Sequence, residues 1–449
     1  MKLNQKQIQH FFLRAGFGEP LEKVAESLGK TPQSLFEEQV ALSKKTVPVK
    51  VESDFASPGE LKQMSAKSRQ EMAKAGREEV KELNIKWLKE MASSDAQLRE
   101  KMAFFWHDHF ACRSQNPNFL QGYLDAIREN ALGNFGELLR AVSKSPAMLQ
   151  YLNNQQNKKS SPNENFAREV MELFTLGRDQ GYTENDISEA ARAFTGWSFD
   201  KKGTFIIREK QHDQGVKTVL GKSGNLDGDD VIDLLLKNKQ TASYISQKWV
   251  SYFMNYEGDK KLEKQIADEL YRTDYNILAG LEVLFTSREF YHDSNIGRRI
   301  KSPIELIASM QRQLHVTITH DQSLLFLQRT LGQVLFNPPN VAGWCDGQDW
   351  VDSATLMFRM NLPQLVFKAA LIQQQDDSFD DNDKFKLKGP LRKLETIWDK
   401  ASMQKSFSRL KPVELADYLL QTEVKGITST GDFIDQVIDF TSKPEFQLC

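Results

Sequence analysis

The sequence predicts a mainly α protein, a large multi-helix bundle with a small β-hairpin insertion near 198–222. Helical patterns recur from one end of the chain to the other. Their starts carry a capping residue or an N1 proline, as at Asn4, Ser57-Pro58 and Ser302-Pro303. Only the stretch 198–222 leaves that pattern for long, in favour of β-branched and aromatic residues.

The elements follow in order. Asn4 caps a helix running to about Ala15, stopped by Gly16 and Gly18. Pro20 and Pro32 mark two more starts. Residues 57–94 form a long charged stretch with only sparse apolar positions, which reads as a largely solvated helix or helical pair. Residues 95–112 are far more apolar and again helical, as are 117–152. A helix is expected over 162–176, with Ser161 and Glu164 as a capping box. In the insertion, Lys201-Lys202-Gly203 is a turn before the strand 204–208, and 216–220 is its expected partner. Helices return from 227 to about 331. The segment 337–344 cannot be helical, because Pro338 and Pro339 remove two donors and fix φ twice. The polar, acidic run 373–384 reads as a linker. The expected organisation is a main helical domain, 1–372, with a C-terminal helical segment, 385–449, packed on it.

The totals bound the function. A chain of 449 residues buries a sizeable core without staples, and 40% hydrophobic with 27% charged residues excludes wholesale disorder. The net charge of −2 gives no basic excess, so no nucleic-acid partner is expected. Cys112, Cys345 and Cys449 are odd in number and widely spaced, which is neither a disulfide framework nor a zinc knuckle. No run approaches the roughly 18 apolar residues that span a bilayer. The first residues lack an apolar export core, so the chain as written is expected in the cytoplasm.

Several segments carry chemistry-bearing groups. His107, Asp108 and His109 lie together on one helix, where i and i+2 point about 200° apart, so the two histidines cannot share a metal within it. On the 162–176 helix, Asn165, Arg168, Glu169, Glu172 and Thr175 form one polar arc, which is either a solvated face with an Arg168–Glu172 pair or a site wall. Glu164 and Glu169 are its acid/base or metal-ligand candidates. His212 and Asp213 sit on a glycine-containing loop with Lys217 close behind; the bland alternative is a turn in which Asp213 bonds its own backbone. Asn340 and Trp344 belong to the rigid Pro-Pro loop, a candidate stacking platform. Arg298, Arg299 and Lys301 precede a helix start and are either an anion site or a solvated cluster. No phosphate-binding glycine loop, nucleophile elbow, HExxH, GxGxxG or CxxCH is present, so nucleotide and covalent haem motifs are lacking. The sequence names no cofactor, and a divalent metal stays open.

Six blocks carry a family resemblance: HFFLRAGFG at 10–18, FFWHDHF at 104–110, PNENFAREVMELFTLG at 162–177, YTENDISEAARAFTGW at 182–197, HDQGVKTVLG at 212–221 and NPPNVAGW at 337–344. In content and order they resemble the bacterial domain-of-unknown-function 1800 family, across most of the chain. The resemblance implies a helical fold but no established activity and no agreed catalytic residues. Relatives often carry export signals, which implies a periplasmic alternative to the cytoplasm. Their genes often neighbour those of a second family of unknown function, 1501, similar to alkaline phosphatases and sulfatases, which implies a partner of that type.

Two functional readings follow. In the first, His107, Asp108, Glu164, Glu169, His212 and Asp213 converge in a hydrolase-like acid/base or metal-assisted site, with Asn165, Arg168 and Lys217 binding substrate and Trp197 and Trp344 as walls. In the second, the protein is a non-catalytic binding module that presents an aromatic groove around Trp344 to a polymer or protein. Convergence of the carboxylates and His212 discriminates between them, since acid/base groups must reach one substrate.

Overall fold

Reciprocal caps set many of the helix starts. Asn4 with Gln7, Ser57 with Glu60, Thr183 with Asp186, Asp227 with Asp230 and Ser302 with Glu305 each close a capping box. Each box satisfies two donors that the first turn cannot pair internally. The computed structural model describes residues 1–374, 394–422 and 431–449. The expected linker at 373–384 lies outside the described residues from 375 on.

The architecture is mainly α, as the patterning predicts, and among the described residues the sheets are all two-stranded and antiparallel. Among the described residues no helix is long and apolar enough to cross a membrane. The charged stretch after Ser57 is a short helix, Pro58–Gln63, followed by a 28-residue helix, Ala66–Ser93. The long helix is largely exposed at first and buries Leu83, Trp87, Leu88 and Met91 in its second half. Gly76 lets it press against the chain: a Cβ there would lie 2.5 Å from the Phe55 ring and 2.8 Å from the Gln115 carbonyl.

The next helix, Gln97–His109, is the centre of the molecule. Its Trp106 is fully buried against Phe110, Phe135 and Trp249. Its Lys101 forms a buried ion pair with Glu305, on the helix Pro303–Gln313. Such a pair contributes little net stability, but breaking one partner is costly.

The insertion departs from expectation in its pairing. The strand 204–208 does not meet 216–220. Instead β1 (Trp197–Phe199) pairs with β2 (Phe205–Ile207), and β3 (Lys217–Val219) pairs with β4 (Lys222–Gly224). Local turns decide this. Asp200 Oδ1 accepts the Lys202 and Thr204 N–H groups, and Gly203 takes φ 88°. In the second hairpin Leu220 and Gly221 both have positive φ, the two-residue turn whose twist matches the strands.

The 162–176 helix is also shorter than expected, spanning Asn165–Glu172. Ser161 is not its cap. The Ser161 N–H donates to the Lys158 carbonyl in a tight turn, and the Lys159 N–H donates to the Gln211 carbonyl. That turn keeps the chain extended until Glu164. Past Glu172 the backbone widens, with Phe174 and Leu176 donating five residues back. Thr175 therefore turns inward, fully buried, and donates to the Val170 carbonyl; it does not belong to the polar arc.

The C-terminal described residues contribute three helices, Lys400–Phe407, Pro412–Leu419 and Phe433–Thr441, and the strand β6 (Thr396–Trp398). That strand pairs with β5 (Val316–Ile318). Cys449 and Arg299 exchange backbone hydrogen bonds, and Lys301 Nζ donates to the Phe446 carbonyl at 2.8 Å. Lys301 is thus buried structural wiring, and Arg299 makes a bidentate pair with Asp346 at 2.6 Å. The basic triplet before Ser302 does not form an anion site.

Candidate acid–base site

The last turn of the Gln97–His109 helix distributes three polar side chains around the axis at about 100° per residue. His107 and His109 point into the core and are buried, while Asp108, between them, is only part-buried.

His107 is a loop anchor. Its Nε2 accepts the Phe336 N–H at 3.1 Å, so its ring proton sits on Nδ1, 3.3 Å from the Tyr123 hydroxyl. The Tyr123 hydroxyl in turn donates to the Phe110 carbonyl at 2.6 Å. Burial drives the His107 pKa down to about 3, which keeps the ring neutral. The anchored residue is a strained one, since Phe336 adopts φ 63°. His107 therefore fixes the entry to the Pro-Pro loop, with both ring nitrogens engaged inside the core.

His109 plays a related part. Its Nε2 proton donates to the Phe174 carbonyl at 3.1 Å, leaving Nδ1 to accept from Lys248 Nζ at 3.1 Å. Burial and the Lys248 charge hold its pKa well below the ordinary value. A neutral imidazole thus orients a lysine on the helix Lys239–Phe253.

Asp108 sits under the far end of the same loop. Its Oδ1 accepts the Trp344 N–H at 2.9 Å. Gly343 has φ 87°, and a Cβ there would lie 2.7 Å from the Asp108 carbonyl oxygen and closer still to Oδ1. Only glycine permits this approach. Asp108 Oδ2 has no hydrogen-bond partner among the described residues. Burial pushes the carboxyl up to about 6; the Trp344 N–H and the Lys248 charge pull it back, and Asp346 adds to the rise. Burial lowers Lys248, and Asp108 opposes that. The two groups influence each other but form no ion pair. The Lys248 ammonium, 5.4 Å from the Tyr244 ring centroid, keeps donors free beyond its bond to His109. A part-buried carboxyl raised toward neutrality, within electrostatic reach of a lysine lowered toward it, is a pair suited to proton transfer.

The other expected site residues lie elsewhere. Arg168 binds Glu172 at 3.1 Å as spacing predicts, and also Glu164 at 3.2 Å and Glu184 at 2.6 Å. Asn165 Nδ2 donates to the Leu152 carbonyl. Glu169 is raised by burial and by Glu172, with Arg178 and Arg168 opposing. His212 Nδ1 bonds the Thr195 carbonyl at 2.8 Å. Asp213 pairs with Arg192 at 2.8 Å and accepts the Gly215 N–H, the turn that was the bland alternative. Lys217 is buried against the Gly215 carbonyl and Asn225. Trp197 is buried and shares with His212 only a small cavity of about 160 Å³, too small for a sizeable substrate. Asn340 Oδ1 accepts the Ala342 N–H within the loop turn.

No hydrogen bond or ion pair joins Asp108 to Glu164, Glu169, His212 or Asp213 among the described residues. Of the expected set, Asp108 and Trp344 meet directly, and His107 packs on Trp344 with ring centroids 5.2 Å apart. Lys248 is the residue that sequence reasoning missed. Nothing local marks it, because its partners lie some 140 residues away in sequence; the separation from His109 is 139. Among the described residues no three His, Cys, Asp or Glu side chains gather in a way that could hold a metal ion.

No curated protein and no solved structure matches the chain. A family model described as "Protein of unknown function (DUF1800)" matches residues 10–448. Its span covers the Asp108 helix, the polar arc, both hairpins and the Pro-Pro loop. The chain therefore belongs to the DUF1800 family, as the six ordered blocks indicate.

Proposed function

We propose that the protein is a hydrolase-like enzyme whose acid–base centre is Asp108, with Lys248 as its electrostatic partner. The observation that carries this reading is geometric. Asp108 has one oxygen locked by the Trp344 N–H under Gly343 and the other without a hydrogen-bond partner among the described residues, within electrostatic reach of a lysine that is aimed by His109 and forms no ion pair among those residues.

The roles follow from charge. Asp108 Oδ2 takes a proton from water as the water oxygen adds to the substrate's electrophilic atom. Negative charge develops on the substrate and faces the Lys248 ammonium. The leaving group then departs with the proton returned from Asp108, so the carboxylate is regenerated. Positioned general bases contribute roughly 10²–10⁴-fold. His109 is a positioning residue, because it acts through Lys248.

A panel of chromogenic carboxylic, phosphoric and glycosidic esters tests the reading. Wild-type protein should turn over one class, and Asp108→Asn should lose about 100-fold or more in kcat while keeping its cooperative melt. Equal turnover by Asp108→Asn, or no turnover of any class, speaks for a non-catalytic role.

A further inference from the structure

A large groove lies away from Asp108, and neither Asp108, Lys248 nor Trp344 lines it. It is a groove of about 1010 Å³ between the Ala66–Ser93 helix, the loop 113–116 and the first part of the Pro-Pro loop. Its charge is one-sided. Arg69, Arg77, Lys81, Arg113 and Arg329 line it, and no Asp or Glu does. In a chain with 59 basic and 61 acidic residues, five cations without a carboxylate is a strong local departure. Lys81 pairs with Glu78, whereas Arg69, Arg77, Arg113 and Arg329 form no ion pair among the described residues.

The helix face explains the asymmetry. Arg69, Ala73, Arg77 and Lys81 recur every fourth residue and share one side, while the acids of this segment fall on the others. Gly76 seats that side against Phe55 and Gln115. Beneath the cations the lining is apolar, with Phe55, Phe119, Tyr151, Phe199 and Phe336. Arg113 lies 5.8 Å from the Tyr151 ring centroid, so one cation already rests on that lining.

The opposite wall is tied to the same helix through Asn84. Asn84 and Gln328 exchange side-chain hydrogen bonds at 2.9 and 2.6 Å. Asn84 also donates to the Leu335 carbonyl, and Gln328 accepts the Leu335 N–H. His107 fixes the next residue, Phe336. A preformed apolar hollow of this size with a few convergent charged groups is the usual form of a small-molecule site. Arginine is the side chain suited to carboxylate and phosphate oxygens.

From the charge, the lining and the volume together we infer that this groove binds an amphipathic anion, a ligand with a carboxylate or phosphate head and an apolar body. The head is held by Arg77 and Arg329 with their neighbours, and the body lies on the aromatic floor. A bare inorganic anion leaves the floor unused, and a neutral amphiphile leaves the arginines unpaired.

Isothermal titration of the full chain tests this with dodecyl phosphate, dodecanoate, dodecanol and inorganic phosphate, each below its micelle-forming concentration. Both amphipathic anions should bind, and both at least about tenfold tighter than dodecanol or phosphate alone. The double variant Arg77→Gln/Arg329→Gln removes two exposed charges and should melt like the wild type, yet weaken both anions about tenfold or more. The inference is overturned by absence of binding, by equal binding of dodecanol, or by affinity that ignores the double variant. It is also overturned if a single-stranded oligonucleotide displaces dodecyl phosphate at lower concentration, which makes the groove a nucleic-acid surface.

Discussion

The Trp344 N–H donates to Asp108 Oδ1 at 2.9 Å, across a separation of 236 residues. This bond ties the end of the Pro-Pro loop to the last turn of the central helix. His107, one residue earlier, accepts the Phe336 N–H and ties down the start of the same loop. Adjacent residues on one helix thus clamp both ends of one loop. The clamp holds Asp108 part-buried with a single oxygen committed.

Asp108→Asn keeps the acceptor for Trp344 and removes the charge. Burial raises the folded carboxyl to about 6, above its ordinary 3.8. The folded state therefore holds a proton that the unfolded chain releases between about pH 4 and 6, and stability falls as pH rises through that window. Asp108→Asn should be more stable than the wild type at pH 7, by up to about 3 kcal/mol, with the gain vanishing below about pH 4. Thermal melts across pH check this. A variant less stable at pH 7 means that the carboxylate is a structural cap.

Gly343→Ala should be severe. It places a Cβ against Asp108 at a position with φ 87°. Backbone strain alone costs about 1–3 kcal/mol, and the clash must displace the loop or the carboxyl. Urea unfolding should show a loss of at least that size, together with loss of any activity that depends on Asp108.

Lys248→Met removes a charge that holds the Asp108 carboxyl down. The Asp108 midpoint should therefore move above about 6, and kcat should fall while the fold persists. An unmoved midpoint means that the two groups are not coupled.

Glu305→Gln should destabilise by about 3–5 kcal/mol, because Lys101 and Arg14 lose a buried counter-charge. Burial opposes ionisation of Glu305, but those two cations overcome it and hold the carboxyl at about 2. Its folded value is depressed, so its stabilisation is present above about pH 4.5 and is lost as pH falls toward 2. Chemical denaturation of the wild type and the variant over that range should converge at the acid end.

Much of the fold was legible because its signals are local. Capping boxes at Asn4, Ser57 and Ser302 lie within four residues of their partners, and so does the Arg168–Glu172 pair. The hairpin pairing was misread because Asp200 and the Leu220-Gly221 turn favour the nearer partner strand. Ser161 looked like a cap, but the Gln211 carbonyl, 50 residues on, claims the turn before it. The site was legible only in Asp108 and Trp344, since Lys248 joins through a distant helix. The cationic face at Arg69, Arg77 and Lys81 was readable from its four-residue spacing. Interspersed glutamates made the stretch look uniformly solvated.

The proposed role makes Asp108 a proton-transfer group poised near neutrality. Carboxyl ¹³C NMR titration of the labelled protein, with the Asp108 resonance assigned by its loss in Asp108→Asn, tests it most directly. The Asp108 resonance should titrate with a midpoint of about 6. A midpoint at or below its ordinary 3.8 rules out that role.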